Sequence, residues 1–266
     1  MIKIFLLLIT ILFSAANASF EKQGVGASNI GLSLSGIASR NTDFSTFTNP
    51  ALVDGTPVVD LFYRNHFGLK ELNQIALNSE FTLLQQALGL GIMRYGNKLY
   101  SETEISLATS IHLDPAFYLG LSIDGYFLQI ENYGNAFSIG IGISMFYQLN
   151  KQIRIAGIIN NINEPEMSSS NEKIPVSGIL GLSYSPIPDL EILMDSYKEE
   201  SHDFAYRVGT RIKVLSGINL LAGFKNNINS FSVGLEFNQN SYAIKYSVDI
   251  HPVLNASHAI GFRYVI

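Results

Sequence analysis

Phe137-Ser138-Ile139-Gly140-Ile141-Gly142-Ile143-Ser144-Met145-Phe146-Tyr147-Gln148 is the stretch that decides the fold class of this chain. Phe137, Ile139, Ile141, Ile143, Met145 and Tyr147 fall on one face of an extended strand, while Ser138, Gly140, Gly142 and Ser144 fall on the other. A side-chain period of two is β-structure. The second face carries only small and polar groups over those positions, so the wide apolar face needs an apolar surrounding of its own. Lipid is the natural one.

The same alternation recurs from Val58 to Ile266, and a different kind of sequence precedes it. Lys3, the apolar run Ile4 to Phe13 and the Ala16-Asn17-Ala18 site read as a cleavable secretion signal over residues 1–18. That run is too short for a membrane helix, which needs about 20 apolar residues. Without Lys3, 16 basic and 22 acidic residues remain, a formal charge of −6 that argues against a nucleic-acid partner. The chain has no cysteine, so an exported fold built from it holds together by closure and burial rather than by disulfides.

Dividing the sequence at its turn-forming clusters gives fourteen strands, which predicts an all-β, transmembrane antiparallel barrel. An even number closes such a barrel and removes the unpaired edges of an open sheet. The connections alternate in length as well. Asp114-Pro115, Asn150-Lys151, Pro186-Ile187-Pro188, Ser216-Gly217 and Gln239-Asn240 are tight, whereas Gly96 to Ser101, Glu131 to Asn135, Asn161 to Lys173, Lys198 to Asp203 and Pro252 to Ser257 are longer. Asn226-Asn227 departs from this rhythm. Short periplasmic turns and longer outer loops put both chain ends on the periplasmic side of a Gram-negative outer membrane.

Charge parity says which face meets lipid, because Lys or Arg at the bilayer midplane costs roughly 2–4 kcal/mol. Arg207, Arg211 and Lys213 alternate with Tyr206, Val208, Ile212 and Val214. Glu236 lies opposite Phe231, Val233, Leu235 and Phe237; Lys245 and Asp249 lie opposite Ile244, Tyr246 and Val248; Arg263 lies opposite Phe262 and Tyr264. With Lys225 these eight form the expected lumen wall, either a path for solutes or a salt-bridged lining. The early strands fit less well: Arg64 shares parity with Phe62, and Arg94 with Leu88, Leu90 and Ile92, which calls for a bulge or a strand-end position. Residues 19–57 do not alternate, and they read as an irregular segment that either folds into the lumen or trails in the periplasm.

Catalytic and metal signatures do not emerge. The histidines, His66, His112, His202, His251 and His258, have no metal-ligand spacing, and without cysteine a thiolate site is excluded. Gly31-Leu32-Ser33-Leu34-Ser35-Gly36 lacks the spacing of a nucleophile elbow, and no phosphate loop is present. The reading is a non-enzyme without a cofactor.

Asp43 followed by Phe47-Thr48-Asn49-Pro50-Ala51-Leu52 resembles the N-terminal signature of the FadL-type outer-membrane transporters and of the related PorV/PorQ group. Asn160-Asn161-Ile162-Asn163-Glu164-Pro165 with Ile174-Pro175, Gly181-Leu182-Ser183-Tyr184 and Tyr206-Arg207-Val208-Gly209 are similar to the PorV/PorQ branch. The resemblance implies a 14-stranded barrel over residues 58–266 with residues 19–57 folded into its lumen as a plug. Asp43, Asn49, Pro50 and Ala51 are the gate candidates it singles out. It implies a channel for small hydrophobic solutes or, alternatively, a type IX secretion component or scaffold whose partners are exported proteins. The modest outer loops and the Val265-Ile266 end depart from both groups.

Overall fold

The computed structural model describes residues 19–168, 172–200 and 202–266. The expected secretion signal, residues 1–18, lies outside the described residues. Fourteen strands run in sequence order: β1 Val58–Asn65, β2 Asn73–Leu83, β3 Gln86–Gly96, β4 Tyr100–Asp114, β5 Phe117–Ile130, β6 Gly134–Gln148 and β7 Ile153–Asn160, followed by β8 Ser177–Ile187, β9 Leu190–Glu199, β10 Ala205–Leu215, β11 Ile218–Lys225, β12 Ser230–Gln239, β13 Tyr242–Ile250 and β14 Ser257–Val265. Each pairs antiparallel with its sequence neighbours, and β1 pairs with β14, from Val58 opposite Val265 to Asn65 opposite His258, so the sheet closes.

Alternation decides what each face meets. On β6, Ser138, Gly140, Gly142 and Ser144 turn inward and are buried, while Phe137, Ile139, Ile141 and Ile143 stay exposed on the outer surface. The other strands repeat this inversion, with Leu61, Tyr63, Ile75, Leu77, Val233, Leu235, Ile244, Tyr246 and Ile260 outside. An apolar exterior around a polar interior is the arrangement of a barrel in lipid, the reverse of a water-soluble sandwich.

Of the two early places where parity is mixed, one differs from the expectation and one meets it. Phe62 and Arg64 do share parity, but no bulge intervenes: both point into the lumen, and the Phe62 ring meets Phe44 edge-on at 5.9 Å. An aromatic side chain faces inward there because the interior holds protein rather than water. Arg94 points outward near the long-loop end of β3, and its guanidinium reaches Ser101 Oγ at 3.1 Å, the behaviour of a long cation at a membrane surface.

The wall is thinner at one seam. β7 pairs with β6 only between Ile143 and Gln148. Nearer the long loops, the edge of β6 is satisfied by the connection that follows β7: Asn163 Oδ1 accepts from the Ile141 amide at 2.8 Å, and Asn163 Nδ2 donates to the Ile139 carbonyl at 2.8 Å. Ser168 does the same for Phe137.

Candidate functional site

The interior of the barrel is occupied by residues 19–57, whose backbone is carried by three short pieces: α1 Ala27–Gly31, α2 Ser45–Thr48 and a 3-10 turn at Pro50–Leu52. The segment starts near the long loops. The Phe20 amide donates to Glu102 at 3.1 Å and the Phe20 ring lies 5.0 Å from that of Tyr126. Arg64 and Gln74 then hold the carbonyls of Gln23 and Gly24 at 3.0 and 2.8 Å. From there α1 crosses β12, β13 and β14 at mid-depth, and the chain leaves toward the short turns, where Thr82 bonds the Gly55 carbonyl at 3.1 Å.

Inward glycines make this fit possible. A methyl group added to Gly120 would stand 2.1 Å from the Ala51 nitrogen, and one on Gly223 would stand 2.4 Å from the Leu32 carbonyl carbon. Gly89, Gly91, Gly181 and Gly209 leave the same kind of room for Thr46, Phe47, Ile37 and Ser35. A strand glycine often marks such close approach.

Asp43 is the ionic anchor of the segment. It is buried, pairs with Lys245, accepts from Ser28 Oγ at 2.8 Å and lies 4.0 Å from Arg263. Burial raises its pKa, but the charges of Lys245 and Arg263 outweigh that and hold the carboxyl well below the usual range. Asn49 uses both ends of its amide: Oδ1 accepts from the Ala51 amide at 3.1 Å and Nδ2 donates to the Ile37 carbonyl at 2.7 Å. Pro50 suits the first position of the turn, where its missing N–H costs nothing. The Ala51 amide is also bonded by Ser144 Oγ of the wall at 2.9 Å, so only a small side chain fits against Gly120.

The eight wall positions all turn inward, and most are paired. Arg211 bonds Glu191 at 2.6 Å and Glu236 at 3.3 Å, Lys225 bonds Asp249 at 2.9 Å, and Arg263 bonds Asp60 at 2.5 Å. Lys213 sits at the short-turn mouth, 3.9 Å from Asp189. Arg207 stands apart, with its guanidinium 4.4 Å from the Tyr197 ring. Sequence reasoning missed the acids that complete this wall, Asp60, Glu191 and Asp195, although each sits at an alternate position of its strand. Asp195 is the most informative of them: its Oδ2 takes the amides of Gly36 and Ile37 at 2.8 and 3.2 Å, which ties the bend after α1 to β9.

Two spaces lie against the segment inside the barrel. On the long-loop side lies a cavity of about 90 Å³, with Leu34, Ile37, Phe47, Met93, Ile158 and Ile179 among its lining residues. On the short-turn side lies an open vestibule of about 820 Å³ lined by seven basic and three acidic residues, Arg40, Lys151, Arg154 and Lys213 among them. His66, in the first long connection, is buried against Gln74; burial and the charge of Arg64 push its pKa down to about 3, so it is a neutral structural group.

No family model and no curated protein matches this sequence. Solved structures do match in shape. The Pseudomonas putida toluene transporter TodX superposes with a TM-score of 0.70 at 13% identity, covering 94% of this chain and all of that one. The CymD monoaromatic hydrocarbon channel gives 0.69 at 13% identity over 93% of this chain and 99% of that one. A Pseudomonas aeruginosa FadL homologue gives 0.62 at 11% identity, covering 91% and 98%. At such identities the likeness is one of fold, and the fold is that of the FadL-type barrels.

Proposed function

We propose that this chain is an outer-membrane channel admitting small hydrophobic solutes, with residues 58–266 as its barrel and residues 19–57 as its plug. Asp43, Asn49, Pro50 and Ala51 set the plug's resting position, and the paired cations of the wall receive it. One observation supports the reading: the segment lies between a mostly apolar cavity on the long-loop side and a polar vestibule on the other. A solute that is poorly soluble in water is captured in the first and released only if the segment yields. A barrel of purely structural use would have no need of an apolar cavity above its obstruction. The solutes named for the structures similar in fold, toluene and monoaromatic hydrocarbons, are of the class such a cavity suits. Among the described residues, no feature of the long connections favours the secretion-component alternative.

The test is uptake of a radiolabelled small aromatic solute by proteoliposomes containing lipopolysaccharide, made with the full chain and with residues 19–57 removed. Uptake above protein-free vesicles, altered by the deletion, supports the channel; a folded barrel that transports nothing in either form refutes it. Loss of protein secretion on deletion of the gene, with solute uptake intact, would move the assignment to the secretion alternative.

A further inference from the structure

Arg94 is a cation on the lipid-facing surface with no acid beside it. Its outward neighbours across the two ladders are Ile75 and Thr103, and none of the outward positions of β14, β1, β2, β3 and β4 is acidic. Its hydrogen bond goes to the Ser101 hydroxyl, a neutral group. A lipid-facing guanidinium is penalised at the bilayer midplane and tolerated near the surface, where it meets headgroups, and Arg94 lies two residues from the long-loop end of β3. Lys198, an outward cation on β9, is different: its ammonium bonds the His202 carbonyl and lies 5.6 Å from the Phe204 ring. Its charge is turned back onto the protein.

Arg94 also stands at one end of an apolar groove on the outer wall, with a volume of about 560 Å³. Two outward rows form its sides. Ile260, Tyr63, Ile75 and Arg94 are opposite one another in register in the first row, and Phe262, Leu61, Leu77 and Ile92 in the second. Between the rows lies the backbone of Gly261, Phe62 and Ala76, whose side chains turn inward. The groove therefore runs across the strands from β14 to Thr103 of β4, roughly 19 Å at about 4.8 Å per strand. That is the length of an extended acyl chain.

We propose that this groove seats lipid A, the phosphorylated and multiply acylated glycolipid of the outer leaflet, with one acyl chain along the groove and a phosphate on Arg94. The inference goes beyond the channel reading and rests only on the barrel lying in lipid with its long loops outward. A guanidinium fork matches phosphate oxygens with two parallel hydrogen bonds, and Thr103 supplies a hydroxyl at the same end. An apolar trough with a single cation at one end selects an acylated anion over a neutral lipid.

Native mass spectrometry of the full chain in detergent, titrated with lipid A, tests the seat. Wild type should bind lipid A at least tenfold more tightly than the same lipid with both phosphates removed, and more tightly than phosphatidylglycerol. R94Q should lose about tenfold in affinity for lipid A, R94K should keep most of it, and K198Q should bind as wild type does. Equal binding of the phosphorylated and dephosphorylated lipids overturns the proposal, as does undiminished binding by R94Q or an equal loss in K198Q. Phosphatidylglycerol binding as tightly as lipid A overturns it too, since the seat would then take any anionic lipid. If R94Q does not fold, as judged by its heat-modifiable gel mobility, the dephosphorylated lipid on wild type decides alone. Aromatic uptake by vesicles is read separately, so a failed seat leaves the channel standing.

Discussion

The two spaces inside this barrel are built from the same wall yet differ in chemistry. The long-loop cavity is small and lined by Leu34, Phe47, Met93 and Ile179, whereas the short-turn vestibule is about nine times larger by volume and lined by Arg40, Lys151, Arg154 and Lys213. The wall gives Lys151, Arg154 and Lys213 to the vestibule but Met93, Ile158 and Ile179 to the cavity, and residues 19–57 lie between the two. The segment offers apolar side chains upward and the Arg40-Asn41 bend downward. On the proposed reading the segment is the barrier between the two, and removing it should erase the distinction. Deleting residues 19–57 is therefore the largest perturbation available. Planar-bilayer recordings should change from a nearly closed baseline to a sustained current, as expected when the polar interior of a barrel becomes continuous with water. A closed baseline in the deleted form would mean that the wall itself, and not the segment, shuts the pore.

A smaller change loosens the same barrier at its anchor. Asp43→Ala leaves Lys245 buried without its carboxylate, and breaking a buried pair from one side costs about 3–5 kcal/mol. The loss falls on the docking of the segment, because β13 keeps its ladder to β12 and β14. Protease cleavage within residues 19–57 should become rapid while the barrel core stays resistant. Equal resistance in mutant and wild type would show that Asp43 does not hold the segment.

The wall was far easier to read from sequence than the barrier, and the reason is physical. Most strands announce themselves through a period of two, and late strands such as β10 and β13 also carry charges on the buried face, which fixes their parity. In β1 the inward face includes Phe62, an aromatic residue that packs on Phe44 of the segment. Asp60 and Arg64 share that face and point it inward, but the aromatic between them obscures the signal, since its neighbour is protein. Asp43, Asn49, Pro50 and Ala51 were visible only as a motif. The bonds that explain them, to Lys245, Ile37 and Ser144, span 202, 12 and 93 residues and leave no local periodicity. Arg207 reads from sequence as one more wall cation, and only its lack of an ion pair among the described residues, a property of three dimensions, sets it apart.

The wall can also be made to push on the barrier. Gly120→Val puts branched carbon where 2.1 Å separates a methyl group from the Ala51 nitrogen, and the atom in the way is backbone, which cannot swing aside. Overpacking of this kind costs about 1–3 kcal/mol. The Pro50–Leu52 turn should shift and leak should rise, less than for Asp43→Ala. Gly125→Val is the matched control on the same strand: its nearest neighbour is the Phe127 ring at 3.3 Å, and its substitution should leave leak unchanged. Equal leak from both variants would detach Gly120 from the barrier.

The weakest expected effect is that of mild acid, and its sign follows from Asp43. Its carboxyl has a lower pKa in the folded barrel than the ordinary value of 3.8, because Lys245 and Arg263 favour the charged form. The stability it contributes is thus fully present above pH 3.8 and is lost only as pH falls through the still lower folded value. Leak measured between pH 7.5 and pH 4.5 should stay flat. Below pH 3.8 it should begin to rise, and Asp43→Asn, which mimics the protonated state without removing the side chain, should leak at pH 7.5 as wild type does in strong acid. A rise in wild-type leak already at pH 5 would locate the acid-sensitive group elsewhere, and the separation of the two spaces would then depend on a contact other than the Asp43–Lys245 pair.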